Sequence, residues 1–270
     1  MKKYLPILLA LSLLVLTSIA CRIVIPEVSI GSTGVTGSGE VIEDARRVSG
    51  ISRVRVANQG DLFIALGSEE KLVIEAEDNL LEYIESDVRG GELVLSTRSS
   101  ANIRNTKPIR YYLTVINLDG LSVSSSGTIE APELQSNKFS IVISSSGDIK
   151  IDGLMVNDLD VKITSSGSTS IEMLDAERLE VLISSSGKLT IQEGEVDEQD
   201  IMITSSGDYE AGNLVSQRTE VRLSSSGNAT VQVKDELRGS LSSSGNLFYY
   251  GNPTVNVSQS SSGDVIHRGD

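Results

Sequence analysis

Apolar and polar residues alternate along most of this chain, and the alternation itself recurs. In FSIVISSSGDIKIDG, residues 139–153, two apolar pairs, Ile141 with Ile143 and Ile149 with Ile151, are each interrupted by one polar or outward residue. A period of two, rich in β-branched residues, predicts strands with one buried face, and nothing here carries the period of a helix. Between the pairs lies S-S-G. It occurs eight times, closing on Gly127, Gly147, Gly167, Gly187, Gly207, Gly227, Gly245 and Gly263, at spacings of 20, 20, 20, 20, 20, 18 and 18. The positions six and four before each glycine are apolar in most repeats, as in Val161 and Ile163, Val181 and Ile183, Ile201 and Ile203, Val221 and Leu223. Those two and four after it continue the pattern, as in Leu189 and Ile191, Ala229 and Val231, Leu247 and Tyr249. A third apolar point falls seven after it, at Leu134, Leu154, Leu174 and Leu214.

A fixed period of this length predicts a solenoid with one coil per repeat. Two good strands and a shorter third in each coil, stacked like on like, make an all-β fold, a parallel β-helix with coils of about 18–20 residues. Parallel connections within a sheet are overwhelmingly right-handed, so the right-handed form is expected. One coil alone buries too few side chains to offset the ordering of its backbone, so coils must share hydrogen bonds and cover each other.

The S-S-G corner must turn the chain within three or four residues. Glycine there is expected to supply positive φ, and serine to bond locally. The middle serines, Ser125, Ser145, Ser165, Ser185, Ser205, Ser225, Ser243 and Ser261, share the parity of the buried positions. If alternation survives the turn, their hydroxyls stack into a buried ladder, each bonding the next coil. The alternative is an outer hydroxyl array presented to a sugar, a mineral or ice.

Before Gly127 the pattern loosens. In VRVANQGDLFIAL, residues 54–66, Val54, Val56, Leu62 and Ile64 keep the same offsets around Gly60, as an eroded coil would. KLVIEAEDNLL and ELVLSTRSS are expected to continue the series, and NLLEYIES, residues 79–86, to form a short helix at the capped end. Residues 119–270 then form the regular S-S-G β-helix, and residues 41–118 its divergent first coils and cap.

Residues 1–20 carry Lys2 and Lys3 ahead of an apolar run too short to span a membrane comfortably, which reads as a secretory signal peptide. The stretch S-I-A-C, residues 18–21, resembles the lipobox of bacterial lipoproteins, although Ser18 stands where leucine is usual. The resemblance implies cleavage before Cys21 and a diacylglycerol on its thiol. The chain would then be exported and held on the cell membrane or outer membrane, facing away from the cytoplasm. Residues 21–40, rich in Gly, Ser and Thr, read as lipid anchor and flexible tether.

Composition narrows the chemistry. With 23 basic and 37 acidic residues the net charge is −14, which argues against nucleic acid and anionic lipid heads as partners. One Cys and one His exclude a Cys/His zinc site and an intrachain disulfide. A Ser-His-Asp triad would have to use His267, and there is no G-x-S-x-G elbow. No cofactor or catalytic residue is assigned. Asp148, Lys188 and Asp208 share one offset and read as a solvated charged face. Val142, Leu182 and Met202, five before their glycines, point outward and are a candidate contact surface. Phe248, Tyr250 and Ile266 gather at the C-terminal end, where they would cap the stack or mediate self-association. The closing R-G-D has no loop to present it, and chance explains it.

These features together resemble the putative auto-transporter adhesin head GIN domain family. The likeness is carried by G-S-G-E at residues 37–40, R-V-R-V at 53–56, G-D-L-F-I at 60–64, A-E-D-N-L-L at 76–81, G-E-L-V-L at 91–95 and the coils that follow. Members usually show G-S-G-D; here Ser replaces the first Gly, and Asp follows only at Asp148, Asp208 and Asp264. The resemblance implies an exported β-helical domain on a bacterial envelope. The function expected is a non-enzymatic surface or scaffold module that binds a polysaccharide, another envelope protein or a neighbouring cell. A carbohydrate-active β-helix and an accessory of envelope signalling or assembly are the alternatives.

Overall fold

The structure is a computed structural model that describes residues 34–260 and 262–270. Val35–Asp270 forms one compact unit, and the described buried core, from Ile51 to Leu247, lies wholly within it, so the unit carries its own core. Apart from one 3₁₀ turn at Leu81–Tyr83, the regular structure among the described residues is strand. Five consecutive 16-residue strands, Thr128–Ile143, Asp148–Ile163, Ser168–Ile183, Lys188–Ile203 and Asp208–Leu223, lead to Asn228–Leu241. Each pairs in parallel with the next, residue against residue twenty further on through the first five. Stacked this way they form a parallel β-solenoid of about seven turns, which at about 4.8 Å per coil is about 34 Å long.

Each long strand is a ribbon bent around the coil. Between Thr128–Ile143 and Asp148–Ile163 the pairing covers Thr128 to Ala131, skips Pro132, resumes from Glu133 to Ser136, skips Asn137, and runs on to Ile143. The skipped residues are corners, and the coil has three sides of four, four and six paired residues. At each corner two residues in succession point away from the core, so alternation slips by one. The inward set in one coil is therefore Ile149, Ile151, then Leu154, Val156, then Leu159, Val161 and Ile163, all buried. That slip puts the middle side out of phase with the other two, which is why its buried column Val156, Ala176, Val196 and Ser216 escapes a period-two reading, whereas Phe139, Leu159 and Leu179 stay in phase with Ile141, Val161 and Val181.

Two polar groups in this interior meet, as Tyr209 donates its hydroxyl to Gln199 Oε1 at 2.6 Å. The hydroxyl of Thr169, 1% exposed, has no protein partner.

The first coil, with Arg53–Val56 against Gly120–Val123 and Leu62 opposite Ile129, keeps the expected offsets. Its corner is Asn58-Gln59-Gly60. Asn58 is buried, donates to the Tyr111 hydroxyl at 2.7 Å and accepts the Gly60 N–H at 3.1 Å. Burial pushes the Tyr111 phenol up to about 12, despite the Asn58 bond.

Beyond that coil the expected series breaks. Glu92–Thr97 and Arg110–Val115 do add a parallel layer, but on the outer side of the 53–66 coil. Lys71–Glu77 runs antiparallel to Arg110–Val115 and to Val41–Arg46, and Ile84–Arg89 antiparallel to Glu92–Thr97. The short helix expected at 79–86 is only the 3₁₀ turn, followed directly by strand Ile84–Arg89. The last two turn residues, Gly90 and Gly91, have φ of 57° and 79° and close the 84–97 hairpin tightly.

Residues 35–40, part of the segment read as tether, are built into this end. Val35–Thr36 pairs with Ile103–Arg104, and the Gly39 N–H donates to Glu77 Oε1 at 2.8 Å. Glu77 is 1% exposed and also accepts the Thr106 N–H and hydroxyl. Burial alone would raise its pKa, but the bonds from Thr106, Gly39 and Lys107 outweigh it and hold the carboxyl below the usual range.

Candidate functional site

The S-S-G corners line up in a row, as their spacing requires, but their chemistry differs from the expectation in two respects. The middle serines Ser125, Ser145, Ser165, Ser185, Ser205, Ser225 and Ser243 are half-buried, not buried. Main-chain bonds join one corner to the next, and the hydroxyls of Thr164, Ser242 and Ser260 add long bonds of 3.4–3.5 Å to carbonyls of the preceding coil. Gly167 donates its N–H to the Ser145 carbonyl at 3.1 Å, Gly227 to Ser205 at 2.9 Å, and Gly245 to Ser225 at 3.0 Å. Ser261 lies outside the described residues, although its neighbour Gly263 bonds the Ser243 carbonyl in the same way. From Ser125 to Ser225 the turn takes the middle serine side chains out of the inward phase, and the carbonyls of the corner carry the ladder.

The glycines, in turn, are not needed for positive φ, which among the described glycines occurs at Gly39, Gly50, Gly90, Gly91, Gly194, Gly251 and Gly269 and at none of these corners. They are needed for closeness. A Cβ on Gly207 would lie 2.6 Å from the Gly187 carbonyl oxygen and 2.9 Å from that of Ser185. The same obstruction meets Gly127, Gly147, Gly167, Gly187, Gly227, Gly245 and Gly263.

The next position along forms a second ladder. Asp148 Oδ1 accepts the Ser168 N–H at 3.0 Å, and Asp208 Oδ1 accepts the N–H and side-chain amide of Asn228 at 3.3 and 3.1 Å. Asn228 passes the pattern to Asn246, and Asn246 to Asp264. Asp148 and Asp208 are therefore half-buried coil-to-coil acceptors, whereas Lys188 reaches Glu210 at 2.7 Å.

The six-residue side is where an outer surface is built. Val142, Leu182 and Met202 fall in one in-register column, Ser122, Val142, Lys162, Leu182, Met202, Arg222, Ser240, Ser258. Val142 and Leu182 are half-buried, and Met202 is exposed.

Two further columns run beside this one, both toward the start of the six-residue side, and the sequence reading missed both. The outermost alternates in sign, with Asp158 between Lys138 and Arg178 at 3.3 and 3.1 Å, and Glu198 between Arg178 at 3.8 Å and Arg218 at 2.5 Å. Arg218 holds the Glu198 carboxyl below its ordinary range, first by its hydrogen bond and then by its charge, with Arg178 adding to it. The middle column sets Asp160, Glu180, Asp200 and Glu220 side by side, tempered by Arg222, which bonds both Asp200 and Glu220. Between the two columns runs a groove of about 320 Å³ from Arg178 to Arg238. The signal was available, since charges at 138, 158, 178, 198 and 218 recur at the glycine period.

Phe248 and Ile266 are in register with each other on a different side, so they form no common surface with Val142, Leu182 and Met202. Their corner is self-contained. Arg268 lies over the Phe248 ring at 4.4 Å, Tyr250 leans on Gly212, and His267 stacks on Tyr249 at 4.8 Å. The terminal R-G-D is tied down residue by residue, because Gly269 accepts the Gly251 N–H and Asp270 accepts the Asn252 amide. Among the described residues, no group of three His, Cys, Asp or Glu is placed to hold a metal. Cys21 lies outside the described residues.

Fold and surface together define a parallel β-solenoid that displays side chains in straight rows. Residues 51–172 and 156–253 match the family described as "Putative auto-transporter adhesin, head GIN domain". With more than half of its length matched, the chain belongs to that family. A search of curated proteins finds no match. Among solved structures, the chain is similar to a "putative adhesin" from Parabacteroides merdae ATCC 43184, with a TM-score of 0.82 at 19% identity, over 87% of this chain and 98% of that one. A "putative adhesin" from Parabacteroides distasonis ATCC 8503 gives 0.77 at 21%, over 87% and 99%. A "Putative lipid binding protein" from the same organism gives 0.75 at 22%, over 86% and 98%. At these identities the likeness establishes the fold.

Proposed function

We propose that this chain is a non-enzymatic, adhesin-like module of the bacterial envelope, held by lipid on Cys21, that grips a repetitive polymer along its six-residue side. Membership of the head GIN domain family carries the reading. The geometry supports it, because charges that follow one another about every 4.8 Å along a row match a ligand that also repeats, such as an envelope polysaccharide or the coat of a neighbouring cell. Arg178 and Arg218 line the groove with exposed side chains, and Met202 and Leu182 offer apolar contact beside them. The likeness to one solved structure described as a lipid binding protein agrees with work at a membrane surface.

The test is a glycan array with pull-down from envelope fractions, using the Val35–Asp270 unit and its Arg178→Glu, Arg218→Glu double variant. Retention of wild type and loss of the variant is expected, with the bound polymer recovered intact. Released oligosaccharide would replace this reading with that of a carbohydrate-active enzyme. Equal retention of the variant would move the site off this side. The anchor is tested separately by acyl labelling of the full chain, which Cys21→Ser should abolish.

A further inference from the structure

The two ends of the solenoid are finished differently. Four strands of the main sheet have a single partner strand among the described residues, Val41–Arg46 and Ile84–Arg89 at one end, Thr254–Gln259 and Val265–His267 at the other. The first two guard their free edges with charge, through Glu43, Asp44 and Arg46 on one and Glu85, Asp87 and Arg89 on the other. Charged edge residues are a common protection against pairing with another sheet. Thr254–Gln259 reads TVNVSQ and has none. Its inward residue Val255 continues the column of Gln199, Thr219 and Leu237, which are 3%, 3% and 0% exposed, yet Val255 is 41% exposed. The edge thus offers unpaired peptide groups and an uncovered core residue together.

We infer that Thr254–Gln259 is a pairing edge for a second copy of this chain, joined tail to tail about a two-fold axis with the two strands antiparallel. Charge selects this partner. Of the residues from 246 to 270 only Asp264, Arg268 and Asp270 are charged, in a chain with 23 basic and 37 acidic side chains. Two strongly acidic bodies repel when they meet side by side, and least when they meet through their nearly neutral tails. Head-to-tail growth is disfavoured, because the tail would face an antiparallel end whose edges are charged. A two-fold contact is self-complementary and closes at two copies. Within it Val255 and Val257 of one copy cover those of the other, and no like charges face each other across the strands.

Analytical ultracentrifugation of the Val35–Asp270 unit at tens of micromolar should show a dimer. Val255→Lys puts an inward lysine on the edge, at a position already open enough to accept it. It should raise the dissociation constant about tenfold or more while the circular dichroism spectrum stays unchanged. Cysteine variants give a second readout, because the unit contains no cysteine of its own. Mixed together, the Asn256→Cys and Ser258→Cys variants should cross-link between copies under mild oxidation, residue 256 of one against 258 of the other, and Glu43→Cys at the other end should not. A monomer at all concentrations, a dimer indifferent to Val255→Lys, or cross-linking only at Glu43→Cys would each overturn the inference. None of these outcomes bears on polymer binding by the six-residue side.

Discussion

Replacing Gly187 by alanine tests why the repeat keeps glycine. The new Cβ would sit 2.8 Å from the Ser165 carbonyl oxygen and 2.9 Å from that of Gly167, and closer still to the Cγ2 methyl of Ile163. Nothing there is the free end of a flexible side chain, so the coils must part. Two main-chain bonds run through this corner, Lys188 N–H to Gly167 at 3.2 Å and Asp208 N–H to Gly187 at 3.1 Å. Overpacking costs about 1–3 kcal/mol, and two weakened hydrogen bonds add about 1 kcal/mol each at most. The expected loss is therefore about 1–5 kcal/mol. Gly90 provides the contrast. Its φ is 57°, where glycine is favoured, but no atom lies within 4 Å of its added Cβ. Gly90→Ala should cost only about 1–2 kcal/mol, for the backbone alone. Ser185→Ala, at a half-buried side chain, should stay within about 0.5 kcal/mol. Urea unfolding of the Val35–Asp270 unit, followed by far-ultraviolet circular dichroism, gives all three. If Gly90→Ala proves worse than Gly187→Ala, backbone conformation governs and the steric account fails.

Thr169→Val removes a buried hydroxyl that has no protein partner and should stabilise the unit by about 1–2 kcal/mol in the same unfolding assay. A loss of stability would mean that the hydroxyl is satisfied. Glu77→Gln should destabilise by about 2 kcal/mol at neutral pH, since an amide cannot accept all the bonds this carboxylate receives. Because folding lowers the Glu77 pKa from 4.5, its contribution is full above that value and fades as pH falls through the folded one. The gap between wild type and variant should therefore narrow in acid, and a gap independent of pH would refute the assignment. Asn246→Ala breaks one rung between Asn228 and Asp264 and should cost about 1 kcal/mol, seen as faster hydrogen exchange in the last coil before the rest.

The stacked coils were legible because every strand side is short and the period is carried by eight glycines, so Ile141 and Val161 announce their own neighbours. The inward column at Val156, Ala176 and Val196 was not, because the corner before it advances the phase by one residue and breaks strict alternation. The antiparallel strands at 71–77 and 84–89 alternate just as the parallel ones do, and alternation is blind to strand direction. The serines misled for a related reason. Parity counted through a turn treats the turn as strand, and there the carbonyls, not the hydroxyls, face the neighbouring coil. The outward column at Val142, Leu182 and Met202 was found by counting from the glycines, but the charged rows beside it needed the same count applied to charge.

The alternating row on the six-residue side has a bearing on how such a molecule can change length. Loss of a single coil, residues 168–187 for example, would leave the backbone register whole but set Asp158 against Glu198 where Arg178 had stood between them. Loss of two coils, residues 168–207, would bring Asp158 beside Arg218 and restore opposition of sign. The row therefore favours a parity in growth and shrinkage, since an even number of coils added or removed keeps opposite charges adjacent and an odd number does not.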